Sequence, residues 1–226
     1  MAERHFDQEL GELKASLLRM AGLVEKSIAE AVRALVERDD ALAEKVIRED
    51  ARIDEMEVAI EETCLRELAL RQPIAVDLRF ITSAIKINSD LERMADQAVN
   101  ISESALELIK EPLLKPLVDI PRMSELAQSM VKESLDAFIH RDVALARKVC
   151  DRDDEMDHLR DQVFRELLTY MMQDPKTINR AVHLILVARN LERISDLATN
   201  VGEDVVYFVQ GKVIRHGVHE WPAVTQ

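Results

Sequence analysis

Glycine is scarce in this chain, with five among 226 residues. A loop that cradles phosphates needs several glycines within a few positions, and no Gly-x-Gly-x-x-Gly or Walker pattern occurs. The Gly-x-Ser-x-Gly turn of a nucleophilic hydrolase is missing too. Aromatic residues make up only 4%. Leu, Ala, Glu and Arg dominate instead, a profile of long helices with little sheet. The two cysteines, Cys64 and Cys150, stand alone inside helical patterns, without CxxC or zinc-finger spacing. They are expected to be small, reduced core residues of a cytosolic protein. Net positive charge is also missing, since 43 acidic residues outnumber 30 basic ones. The formal net charge is −13, so the basic footprint of a nucleic-acid binder is absent and no nucleic-acid partner is expected. The longest apolar run, Leu184 to Ala188, is far too short for a membrane span. Met1 to Asp7 contain no apolar stretch, so no secretory leader is expected. The expectation is a soluble cytoplasmic protein that meets a membrane only through partners.

What is present is a repeat. Arg38-Asp39-Asp40-Ala41-Leu42-Ala43 matches Arg141-Asp142-Val143-Ala144-Leu145-Ala146, and at the same offset Asp50 and Asp54 match Asp153 and Asp157. Leu91-Glu92-Arg93-Met94-Ala95-Asp96 with Asn100 recurs as Leu191-Glu192-Arg193-Ile194-Ser195-Asp196 with Asn200. Pro73 and Pro175 each separate two long helical patterns, and Pro112, Pro116 and Pro121 lie between the halves. The spacing predicts helices over 5–38, 40–71 and 74–110, then over 122–140, 142–173 and 176–210. Asp39 and Asp142 are placed to cap the second helix of each half. Short connections force antiparallel neighbours. The predicted fold is all-α: two tandem antiparallel three-helix bundles, over 1–110 and 122–211, related by internal duplication. A proline-containing linker at 111–121 joins them, and 212–226 form an irregular tail.

The repeated word carries the chemistry. Glu92 and Asp96, like Glu192 and Asp196, lie one helical turn apart and repel each other. Asp54 lies as far before Gln72 as Leu91 lies after Pro73, and Asp50 matches Asp96 to within one residue. In the second half Asp157 matches Glu192, and Asp153 matches Asp196, about Asp174-Pro175. Asp50, Asp54, Glu92 and Asp96 therefore converge in one half, and Asp153, Asp157, Glu192 and Asp196 in the other. The stripe Ile81, Ile85, Asn88, Glu92, Asp96, Asn100 turns from apolar to acidic without changing face, which sets the acids at the edge of an inter-helix seam. Converging carboxylates need compensating charge, and a divalent or trivalent metal ion supplies it: Fe, Zn, Mn, Mg or Ca. The competing reading is ion pairing with Arg52, Arg93, Arg152 and Arg193. No nucleophile and base can be paired, so no enzyme is expected. A carboxylate-metal phosphohydrolase and a metal-buffering bundle are the alternatives. The histidines show no metal spacing, and His183 is expected to be a satisfied core or edge residue.

Arg71-Gln72-Pro73-Ile74-Ala75-Val76-Asp77-Leu78-Arg79, both Leu-Glu-Arg-x-x-Asp words, and Arg4-His5-Phe6-Asp7 together resemble the PhoU family, over nearly the whole chain. The resemblance implies a cytoplasmic accessory protein of the phosphate-specific ABC transporter that also restrains the phosphate-sensing histidine kinase of a two-component system. It implies a negative regulator, not a catalyst, and a homodimer. It further implies metal binding, iron or zinc in some members, at Glu92, Asp96, Glu192 and Asp196. The second family word often reads Gly-Asp-His; here it is Ser195-Asp196-Leu197, which argues against imidazole ligation. Asp90 stands where the second half has Asn190, adding an acid to the first half.

Overall fold

The computed structural model describes residues 2–214, with the side chains of 2–5 and 7 left aside. These residues form helices and their connections, with no strand among them. The helices are α1 (Ala2–Glu37), α2 (Asp40–Glu49), α3 (Ala51–Arg71), α4 (Ala75–Ile109), α5 (Asp119–His140), α6 (Val143–Asp151), α7 (Asp153–Gln173) and α8 (Ile178–Gln210). A 3-10 turn over Pro175–Thr177 leads into α8. No helix among the described residues is long and apolar enough to cross a membrane. Most of the expected tail lies outside the described residues.

Two features differ from expectation. The second helix of each half is two helices, α2–α3 and α6–α7, which break at Asp50 and Arg152. At each break the backbone tightens to three-residue hydrogen bonds, Ile53 N to Asp50 O at 2.7 Å and Arg152 N to Val149 O at 3.1 Å. Asp50 and Asp153 sit where α3 and α7 begin, where a carboxylate suits the positive end of the helix dipole, although neither start carries a side-chain cap hydrogen bond. Helix α5 also starts at Asp119, inside the segment expected to be linker. That connection is tied down: Lys115 pairs with Glu166, and Arg38 donates to the carbonyls of Ile109 and Glu111.

The turns before α2 and α6 are built alike. Arg38 (φ 59°) and Arg141 (φ 57°) are left-handed, and Asp39 N and Asp142 N each reach back 2.9 Å to the carbonyls of Ala34 and Ala137. Asp39 then caps α2 through Leu42 N, and Asp142 caps α6 through Ala144 N and Leu145 N.

One apolar core runs through both halves, with α4 and α8 at its centre. Phe80 of α4 stacks on Phe138 of α5 at 5.2 Å between ring centres, and Phe208 of α8 packs against both at 5.6 and 5.7 Å. Helix α6 approaches α8 so closely that a Cβ at Gly202 would lie 2.9 Å from the Ala146 carbonyl oxygen. Cys64 is buried and Cys150 half-buried; burial pushes their thiols up to about 12 and about 11.

Candidate metal centre

In each half the site lies where the hairpin α3–α4 or α7–α8 opens toward solvent. Core residues Ile81, Ala84, Ile87 and Leu91 pin one face of α4, and the same register carries Glu92 and Asp96 to the seam edge. Ile53 and Ile60 anchor α3 in the same way, which turns Asp54 and Glu57 toward α4. Asp50 stands at the α2–α3 break.

The four expected acids of the first half act on one another. Burial, then the charges of Asp54 and Asp96, pushes the Asp50 carboxyl up to about 6. Burial raises Glu92, helped by Asp96, Glu57 and Asp54 and opposed by Arg93. Asp96 is raised by burial and by Asp54. Like charges and lost hydration favour the protonated forms. Glu57 is a fifth acid that the sequence reading missed. It lies as far before Gln72 as Asn88 lies after Pro73, so the count that found Asp54 would also have found it. Asn88 confirms this level, since its Nδ2 donates to the Glu57 carbonyl oxygen at 2.8 Å. Asn88 is 1% exposed, and its Oδ1 has no hydrogen-bond partner.

The second half brings its four acids together as well, with a different neighbour. Burial, then Glu192, Asp153 and Asp157, pushes Asp196 up to about 6, with Arg193 opposing. Asp153 is raised by burial, then by Asp157, Glu192 and Asp154, with Arg160 opposing. The Arg160 guanidinium lies in the cluster, with Nη1 2.6 Å from Glu192 and 2.9 Å from Asp157 and with Nη2 2.9 Å from Asp161. Ion pairing therefore exists, but its main agent is not among the arginines named from sequence. Arg152 instead bonds Glu133 at 3.1 Å. Beside this cluster is a cavity of about 490 Å3 lined by Arg160, Phe164, Ile185, Glu192 and Asp196.

Among the described residues, no three His, Cys, Asp or Glu side chains stand close enough to form a ready-made ligand shell. The acids face each other at the range of charge repulsion. As donors, the first-half residues fit a hard cation: five carboxylates and a buried amide oxygen without a partner. Asn100 opens onto a broad groove between α4 and α8, where His183 also lies; its Nδ1 is buried and lacks a hydrogen bond, contrary to the satisfied residue expected.

The model of the PhoU domain matches this chain twice, over residues 17–105 and 120–205. A phosphate-specific transport system accessory protein PhoU homolog of Aquifex aeolicus is 48% identical over 92% of this chain and 95% of its own length. The homolog of Caulobacter vibrioides is 43% identical over 92% and 91%. The crystal structure of PhoU from Pseudomonas aeruginosa superposes with a TM-score of 0.88 at 42% identity, covering 92% of this chain and 100% of that one. The phosphate transport system regulatory protein PhoU from Streptococcus pneumoniae gives 0.86 at 33% identity, covering 92% and 98%. With both halves matched by the domain and relatives this similar over nearly its full length, the chain belongs to the PhoU family.

Proposed function

We propose that this chain is a cytoplasmic, metal-braced negative regulator of phosphate homeostasis. It acts as a homodimer on the phosphate ABC transporter and on the phosphate-sensing histidine kinase, through protein–protein contact. Its curated relatives are named accessory proteins of phosphate transport, and the role is regulatory rather than enzymatic.

The observation that carries the metal reading is the facing of Asp50, Asp54 and Glu57 with Glu92 and Asp96 across the α3–α4 seam, where their charges help to raise Asp50, Glu92 and Asp96. A divalent or trivalent cation bound there (Fe, Zn, Mn, Mg or Ca) supplies the positive charge that lets these carboxylates stay ionised together. Asp54 and Glu57 would hold it from α3, and Glu92 and Asp96 from α4. Ligands on both walls fix the spacing of the two helices. The hairpin tips, at the end away from these acids, carry exposed apolar side chains, Leu70 and Ile74 in one half and Met172 and Ile178 in the other. Exposed apolar groups at such tips suit contact with another protein.

Deleting the gene and measuring the phosphate regulon in phosphate-rich medium tests the regulatory role. Derepression is expected; unchanged repression sinks it. Elemental analysis of the native chain beside an Asp96→Asn/Asp196→Asn variant tests the ligands. Equal metal in the two refutes them.

A further inference from the structure

The duplicated halves differ at several positions of the seam, Asp161 standing where the first half has Val58, and two of the differences bear directly on cation binding. At the offset that pairs Asp54 with Asp157, Glu57 of α3 pairs with Arg160 of α7. At the offset that pairs Glu92 with Glu192, Asn88 of α4 pairs with Ala188 of α8. We propose that the halves take cations unequally: the first-half cluster binds a divalent cation, while in the second half the Arg160 guanidinium fills that role from within the chain. This rests on the metal-binding reading above.

In the first half, five carboxylates share the seam: Asp50, Asp54, Glu57, Glu92 and Asp96. Among the described residues, no Lys or Arg forms a salt bridge with any of them. The Asn88 Oδ1 adds a neutral oxygen. Its amide is fixed by the 2.8 Å bond to the Glu57 carbonyl, which sets it between α3 and α4, one turn before Glu92. An amide that is 1% exposed and satisfied only on its nitrogen leaves a buried acceptor without a donor. Carboxylates joined by an amide carbonyl are the donor set that hard divalent cations select.

In the second half one oxygen donor is replaced by a cation and another by a methyl group. Arg160 bridges Asp157 and Glu192, drawn from both walls of the seam, with distances of 2.9 and 2.6 Å. Asp161 receives its other nitrogen at 2.9 Å. A guanidinium held on three carboxylates occupies the charge position that a metal would need. A metal reaches Glu192 only by displacing it, against like charge. A PhoU-type chain built this way has one cation-responsive half and one closed by its own side chain.

The test is a manganese titration of the metal-stripped full chain, read by calorimetry and by electron paramagnetic resonance of bound Mn2+. Asp96→Asn should weaken tight binding at least about tenfold, since even the loss of an outer-shell partner costs that much. Asp196→Asn should leave it unchanged. Arg160→Gln should create a second class of tight sites, and Arg160→Lys, which keeps the charge, should not. Glu57→Arg should remove the first class. Circular dichroism confirms that each variant is folded, and the Lys variant and Asp196→Asn still decide the matter if Arg160→Gln unfolds. If both halves of the parent chain load alike, unequal loading is wrong and the metal reading stands; if Arg160→Gln adds nothing, the role given to Arg160 is wrong. If neither the parent nor Arg160→Gln binds Mn2+, both fall.

Discussion

The first and second halves share a repeat, a break in the same helix and a hairpin of facing acids, yet they solve the same electrostatic problem differently. Around Asp50, Asp54, Glu92 and Asp96 the first half adds another acid, Glu57, and leaves the repulsion standing. Around Asp153, Asp157, Glu192 and Asp196 the second half inserts Arg160, which pairs with Asp157 and Glu192 while Asp153 and Asp196 stay raised. Packing diverges too. Gly202 lets α6 press onto α8, where the first half has Ser102, whose hydroxyl donates to the Ala98 carbonyl at 3.0 Å. Duplication preserves the frame that a shared core demands. Seam positions, half in water, are free to change charge.

The largest expected effect asks whether the halves are energetically separate at all. Phe138→Ala removes the ring that stacks on Phe80 and touches Phe208. It should cost about 3–5 kcal/mol. Because those rings come from both halves, urea unfolding should stay a single transition at a lower midpoint. Two separated transitions would show that the halves unfold independently. Next, Gly202→Ser gives the second half the first half's residue. The new Cβ meets a backbone carbonyl at 2.9 Å, so a loss of about 1–3 kcal/mol is expected from overpacking. Ser102→Gly, the reverse change, should cost less. Stability within error of the parent for Gly202→Ser would mean that α6 can shift freely.

Smaller effects probe the seam. Arg160→Gln in metal-stripped protein leaves Glu192 and Asp157 facing each other, and at neutral pH should cost about 1 kcal/mol. That cost should shrink on acidification; a cost independent of pH would locate it in packing. Smallest is the response of the parent chain to acid. Asp50 and Asp196 are raised from 3.8 to about 6 in the fold. The fold thus favours their protonated forms. Their contribution to stability is complete below the unfolded value of 3.8 and is lost as pH rises through about 6. Both are half exposed, so solvent screens the effect to about 1 kcal/mol. The melting temperature of metal-stripped protein should therefore rise by about 2–4 °C from pH 7 to about pH 5.5. Added Mn2+ should erase that gain by stabilising the neutral-pH form. A melting temperature that falls over the same interval would contradict the raised carboxyls.

Much of this frame was legible along the chain. The caps at Asp39 and Asp142 and the level match of the acids follow from spacing alone, because helical rise is constant and a short turn fixes which residues face. The breaks at Asp50 and Arg152 were not legible. A long apolar period continues through them, and the tightening of one turn leaves no mark in that period. Glu57 satisfies the same count although it lies outside the repeated word. Arg160 was not within reach. It is as close along α7 to Asp157 and Asp161 as many surface arginines are to acids, and its bond to Glu192 crosses the seam.

The sequence by itself determined the class, the duplication and the height at which the acids meet, since each depends on local periodicity and on where proline stops a helix. Only the tertiary structure decided that one core serves both halves and that one acid cluster carries its own cation. Those outcomes depend on which rings meet between helices and on where a long guanidinium arm comes to rest across the seam, and neither is encoded in spacing along one helix.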